Sequence, residues 1–221
     1  MPTQPVPADL PIFPLTGVLL LPGMWLPLNV FEPRYRNLVE DATQGGMHIG
    51  MVQPVVPRED NRPPPVAPPE NPAVYRVGCA GRIDQFTHLP DGRYTLMLHG
   101  VTRFRIAEEL PLQRGYRRVR ADYAPFAADL ASPAELEPAR LLEALGRFGR
   151  THNMPFDTNR LGTLPGSALV NGLCMSLPFG PAEKQALLES ATLPERETLL
   201  LRLMEMGVAP AAPEPGPPTL N

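Results

Sequence analysis

Four histidines, two cysteines and a single lysine are the side chains from which metal, nucleophilic or general-base chemistry would have to be built. His48, His88, His99 and His152 are scattered singly, and only His88 and His99 come close, flanking a turn across which they could face each other. Two such residues fall short of the three protein ligands a zinc site normally needs. All four are read as surface histidines, and no metal is expected. A Ser–Lys dyad would have to use Lys184. That lysine lies on the exposed side of a helix start, four residues from Leu188, which predicts a solvated ammonium. Cys79 and Cys174 fall in a strand pattern and a helical pattern, so buried free thiols are expected, not a disulfide framework. Asp84, Asp91 and Asp122 have no evident partner acid. No glycine-rich loop ends in Gly-Lys-Ser/Thr, and GxSxG, HExxH and CxxC are absent. The spacing therefore predicts no catalytic residue, no cofactor and no metal site, and a chain that is not an enzyme by itself.

Two clusters could bind instead of react. Arg103, Arg105, Arg114, Arg117, Arg118 and Arg120 crowd two neighbouring strands. Of these, Arg103, Arg105, Arg118 and Arg120 are predicted to point away from the core on one sheet face. Such a face could hold phosphate or nucleic acid, or it could be a solvated face balanced by Glu108, Glu109 and Asp122. A net charge of −3 and the lack of a stacking set of aromatics favour the solvated face. The second cluster is the tip Leu21-Pro22-Gly23-Met24-Trp25, which joins turn residues to the only tryptophan. It reads either as a loop folded onto the core, with Trp25 plugging a barrel end, or as an exposed apolar lip for a polypeptide.

The elements that must position these residues follow from periodicity. Leu26–Tyr35 ends an apolar segment opened by Leu10 and starts the first helix. Pro33 suits the first helical position, and Glu32 just before it could accept orphan N–H groups. Tyr35, Leu38, Val39 and Ala42 form the apolar face, and Gly45–Gly46 stops the helix. Pro11, Pro14, Pro22 and Pro27 imply first strands that are short, bulged or at an edge. Residues 47–53 read as a buried strand, and 54–73 as a Pro-rich surface loop. Tyr75–Ile83 alternates as a long strand. After a hairpin turn at Leu89–Gly92, Tyr94, Leu96, Leu98, Thr102, Phe104 and Ile106 keep a period of two, with Gly100 marking a bulge or a close approach. A third strand covers Tyr116–Tyr123.

From Ser132 the period becomes helical. Ser132–Glu135 has the form of a capping box, although Pro138 could mark the regular start. Leu141, Leu142, Leu145 and Phe148 form one stripe. Helices are expected over Gly166–Leu177, Pro181–Ser190 and Thr192–Met206, the last with a stripe of Leu199, Leu203 and Met206 and a stop at Gly207. The tail from Val208 is expected to be poorly ordered. The expected class is α+β: an antiparallel β-rich part over 1–126, an α-helical part over 127–207 and a Pro-rich tail over 208–221. The first apolar segment is too short and too broken by proline to cross a bilayer, and no basic n-region opens the chain, so a cytoplasmic location is expected.

The motifs LPIFPL, LPLNVFEPRY, VGCAGRI and LPDGRYTLMLHGVTRFRI, in this order and spacing, resemble the N-terminal substrate-binding domain of Lon proteases. The late KQALLES before a Leu-rich helix resembles the helical part of that family. The resemblance spans about Leu10 to Met206. It implies a PUA-like pseudobarrel followed by a helical bundle, with Phe31, Glu32, Pro33, Arg34 and Tyr35 as a structural motif. It also implies a role in recognising unfolded or extended polypeptide, alone or as an adaptor to a protease or chaperone; because a receptor for unfolded chains must offer apolar surface, the tip Leu21, Pro22, Met24 and Trp25 is the candidate site. ATPase and peptidase motifs are absent, which reads as a free-standing member. PUA-like folds often bind RNA, so an RNA-binding module is the alternative, with Arg103, Arg105, Arg118 and Arg120 as its face.

Overall fold

The computed structural model describes residues 5–55, 71–131, 136 and 138–208. In chain order the elements are β1 (Asp9–Pro14), β2 (Trp25–Val30), α1 (Pro33–Gln44), β3 (His48–Val52), β4 (Val77–His88), β5 (Tyr94–Gln113), β6 (Tyr116–Asp122), a 3₁₀ segment (Ala124–Leu130), α2 (Ala139–Thr151), α3 (Thr158–Leu161), α4 (Gly166–Ser176), α5 (Pro181–Glu189) and α6 (Leu193–Val208). The class is α+β: a six-stranded sheet followed by helices.

Pro33 opens α1, and Tyr35, Leu38, Val39 and Ala42 are its buried face, as the spacing predicts. The Tyr35 ring packs on Phe13, 4.2 Å between centroids, which ties the helix to β1. The Glu32 carboxylate does not cap the helix, contrary to expectation. It accepts instead from Arg34 Nε at 3.1 Å and Nη2 at 2.9 Å. A charge-assisted pair two residues away outcompetes neutral N–H donors, and Pro33 has no N–H to offer. The Glu32 backbone carbonyl starts the helix, accepting from Arg36 N at 2.9 Å. Leu38 is fully buried, so Leu38→Ala should destabilise by about 2–5 kcal/mol. Chemical denaturation of the variant checks this, and an unchanged midpoint would remove Leu38 from the core.

The strand order is β2-β5-β4-β3-β1-β6, and β6 pairs back onto β5. Five strands thus close a ring, and β2 is the remaining edge, where Pro27 cannot weaken an interior ladder. The sheet is mixed, because β1 and β3 run parallel while the other pairs are antiparallel. The connection from β1 to β3 includes β2 and α1, long enough for the crossover that a parallel pair requires.

The ring interior is a small core of Leu10, Ile12, Val52, Ala80, Phe104, Ile106, Val119 and Ala121. Phe104 fills its middle, and a side chain at Gly50 or Gly78 would lie within 3 Å of that ring. A larger core covers the outside of the sheet. It takes in α1, the inward faces of α2 and α4–α6, and Cys79, Ile83, Leu96 and Leu98. The even-numbered run of β5 therefore does not stay on one face. Gly81 pairs with Gly100 but Ala80 pairs with Thr102, so Val101 is an extra residue. The bulge exchanges the two faces: Leu96 and Leu98 serve the outer core, whereas Phe104 and Ile106 serve the inner one.

Helix α2 begins at Ala139, after Pro138; residues 132–135, the candidate capping box, lie outside the described residues. Leu141, Leu145 and Phe148 are buried. Helix α6 continues through Gly207 to Val208 and buries Arg196, Leu200, Leu203 and Met204. Its stripe is rotated from the expected one: Leu199 is only partly buried and Met206 is 64% exposed. Thr192 Oγ1 accepts from Glu195 N at 3.3 Å, the capping pattern read from the sequence. The base of the Pro-rich loop is held by Val55 N to Ala73 O at 2.7 Å and Tyr75 N to Gln53 O at 2.9 Å. Residues 56–70 and the tail from 209 lie outside the described residues. Among the described residues no helix is long and apolar enough to cross a membrane.

Candidate functional site: a cleft between sheet and helices

Two polar groups fasten the strands to the helices. Gln53 donates to Pro181 O at 3.1 Å and accepts from Gly17 N at 3.0 Å. Gln185 donates to Val77 O at 3.1 Å. Lys184 joins this seam, donating to Gly17 O at 2.9 Å. It is therefore not the solvated side chain expected from its helix position. Partial burial lowers its pKa, yet no nucleophile is paired with it among the described residues.

A cleft of about 530 Å³ also lies between sheet and helices. One wall is Pro22, Gly23 and Met24; another is the end of the 3₁₀ segment; a third is α4 and the first turn of α6, with Leu193 and Pro194. Arg103, Asp129, Asn171 and Arg196 bring charge and an amide to its lining, beside the hydroxyls of Ser167 and Thr192. Arg103 is 2% exposed. Its guanidinium meets Asp129 at 2.8 Å and donates to the carbonyls of Leu188, Ser190 and Ala191 at the end of α5. Asp129 also accepts from Arg103 N at 2.9 Å. The Phe126 ring lies 4.6 Å from the guanidinium carbon. Arg103 thus holds together the sheet, the 3₁₀ segment and the C-terminus of α5, where a cation is favoured.

Arg196 comes from the first turn of α6. Its Nε donates to Leu187 O and its Nη1 to Asn171 Oδ1, each at 2.9 Å. Asn171 Nδ2 in turn donates to Pro22 O at 3.1 Å, which fixes the tip against α4. Burial, and then the Arg103 charge, lower the Arg196 pKa. Asp129, Asn171 and Arg196 were not among the residues singled out from the sequence. The available signal was Arg196 itself, which shares the phase of Leu200, Leu203 and Met204; a cation in a helix's apolar phase demands buried partners.

The structure divides the predicted tip. Pro22 and Met24 line the cleft. Leu21 is fully buried in the larger core and cannot be a lip. Trp25 is 48% exposed and rests on His99, 4.4 Å between centroids, so it does not plug the barrel. The predicted arginine face is also divided. Arg103 does point opposite Phe104, but the Val101 bulge makes that side the one covered by helices. Arg105 and Arg120 are exposed, Arg118 is partly buried, and Arg120 pairs with Asp9 at 3.3 Å. Of the histidines, His48 is buried rather than on the surface. His88 and His99 do not face each other, since His88 stacks on Tyr94 at 4.6 Å. Both cysteines are buried free thiols; burial pushes the Cys174 thiol up to about 12 and raises that of Cys79 as well. Among the described residues no group of three or more His, Cys, Asp or Glu could hold a metal.

Known proteins resemble this chain in sequence and in fold. The family model for the ATP-dependent protease La (LON) substrate-binding domain matches residues 9–206. The Lon protease of Flavobacterium johnsoniae is 28% identical over 211 residues, covering 93% of this chain and 25% of that protein. Lon protease 2 of Sorangium cellulosum is 31% identical over 214 residues, covering 92% of this chain and 25% of that protein. This chain therefore spans about a quarter of those relatives' length. The crystal structure of the Lon N-terminal domain protein from Xanthomonas campestris superposes with a TM-score of 0.58 at 25% identity, covering 89% of this chain and 97% of that one. Sequence, sheet and helices agree over nearly the whole described chain, which belongs to the Lon substrate-binding domain family.

Proposed function

We propose that this chain binds extended or unfolded polypeptide in the cleft and performs no chemistry on what it binds. The supporting observation is the juxtaposition of Pro22 and Met24 with Leu193 and Pro194 across an open cleft, in a member of the Lon substrate-binding domain family. Exposed apolar side chains distinguish an unfolded chain from a folded one, so its receptor must offer apolar surface. Met24 supplies adaptable surface there, and Trp25, next along the chain, supplies a large exposed anchor beside it. Such a module serves as an adaptor, presenting polypeptide to a protease or chaperone. The RNA-binding reading is weaker, because Arg103 is consumed by Asp129 and three carbonyls.

The test is binding of a denatured, carboxymethylated protein and of total RNA, in parallel, across a salt series. The expected result is binding of the denatured protein that holds or strengthens in sulfate. Met24→Ser combined with Trp25→Ala should weaken it about 10-fold or more, with a small change in thermal midpoint. Binding of RNA alone, falling steeply with salt and lost with Arg105→Ala and Arg120→Ala, would replace this reading with the RNA one.

A further inference from the structure

The inference rests on the polypeptide reading and specifies what the cleft recognises. We infer that the cleft takes a carboxylate of the bound polypeptide, from a free C-terminus or an Asp or Glu side chain, with Arg196 Nη2 as its anchoring donor.

Arg196 is only 3% exposed. Two of its three nitrogens are engaged, Nε by Leu187 O and Nη1 by Asn171. The third, Nη2, is buried and finds no acceptor among the described residues. A buried guanidinium N–H without a partner is costly, more so than a neutral donor. The nitrogen belongs to a side chain that lines the cleft, and its neighbour Nη1 is bonded to a second lining residue, Asn171.

The charges point the same way. Arg103 is matched by Asp129, whose two oxygens are occupied by the Arg103 guanidinium and backbone N–H. Arg196 has no carboxylate partner among the described residues. The cleft lining therefore carries one unmatched cation. The first turn of α6 adds the positive end of a helix dipole at Thr192–Pro194, which also lines the cleft. Glu195, the acidic side chain of that turn, is exposed and turned to Ala191 N at 3.2 Å. A guanidinium nitrogen without an acceptor, on a side chain that lines the cleft with Pro22, Met24 and Leu193, and a helix end beside it suit a carboxylate on an otherwise apolar chain. They do not suit inorganic phosphate, whose oxygens need donors on several sides.

The experiment uses the full chain and four fluorescein-labelled ten-residue peptides that share one Leu- and Phe-containing flexible sequence. Two differ only in ending as a free carboxylate or an amide. Two amidated forms differ only in an internal Asp or Asn. Fluorescence anisotropy at fixed ionic strength should show one carboxylate form binding about 10-fold tighter than its neutral twin, and the pair in which this occurs identifies the source. Arg196→Gln should bring the twins together. Asn171→Asp places a carboxylate against Nη1 and so matches the Arg196 charge from within the chain, at the loss of the Nδ2 bond to Pro22 O; it should abolish the preference as well, with circular dichroism confirming the fold of both variants. Equal affinity of both twin pairs for the unsubstituted chain would overturn the inference and leave polypeptide binding standing. A preference surviving in both folded variants would overturn the role of Arg196. No binding by any of the peptides would remove this inference, while the denatured-protein test separately decides the reading beneath it.

Discussion

Asp129→Ala should lower stability by about 3–5 kcal/mol, the range for stranding one partner of a buried ion pair. Arg103 and Asp129 have side chains only 3% and 8% exposed. Removing the carboxylate leaves a buried guanidinium facing carbonyl oxygens alone, and it also strands Arg103 N, which Asp129 accepts at 2.9 Å. For a domain of this size that loss corresponds to a fall in thermal midpoint of roughly 10 °C. Asp129→Asn should cost less, because the amide oxygen can still accept one of these bonds. Arg103→Met together with Asp129→Leu should recover part of the loss, since a well-packed apolar pair can replace a buried ion pair. Thermal melts of the three variants check the order, and an Asp129→Ala midpoint equal to that of the unsubstituted chain would refute the account.

Gly100→Ala should destabilise by about 3 kcal/mol or more, at the upper end for overpacking. A β-carbon there would lie 2.1 Å from Leu21 O. The obstacle is backbone, so no rotamer change relieves it. The approach is held by hydrogen bonds on both sides, Gly23 N to Gly100 O at 2.9 Å and Gly100 N to Met24 O at 2.8 Å. Relief therefore requires moving residues 21–24, the wall of the cleft. Gly100→Ala should accordingly weaken polypeptide binding under conditions where the protein is still folded. A variant with native stability would show that the tip can withdraw freely from β5.

Local patterns read well where one element answers to one core. The i, i+3, i+4, i+7 face of α1, the Leu89–Gly92 turn and the close approach at Gly100 were all legible. Misreadings arose where a tertiary partner overrode local pattern. Glu32 has a helix end beside it but chose Arg34. The period of β5 looks continuous in sequence because even-numbered positions are apolar on both sides of Val101, so Gly100 hints at a bulge but not at the exchange of faces. That concealed exchange placed Arg103 under helices that lie over 20 residues downstream of the strand. Lys184 and His48 were misplaced for a similar reason, since their surroundings come from Gly17 and from strand pairing. The cleft was only half legible: Pro22 and Met24 stood out by composition, whereas Asp129, Asn171 and Arg196 are brought together by packing alone.

The closed ring also sets an order of events for folding. Strands β4, β5 and β6 are consecutive hairpin partners and can pair as soon as they exist. Closure instead needs β1 against β6, joining Asp9 to Arg120 across 111 positions. Long-range pairing of this kind is slow, because loop entropy is lost before contacts reward it. During synthesis β1 must wait, unpaired on this edge, until β6 has emerged. Pro11 and Pro14 then have a second effect: they remove donors from a strand that would otherwise be an open template for aggregation. Substituting them with valine should speed aggregation during refolding even where the finished ring tolerates the change.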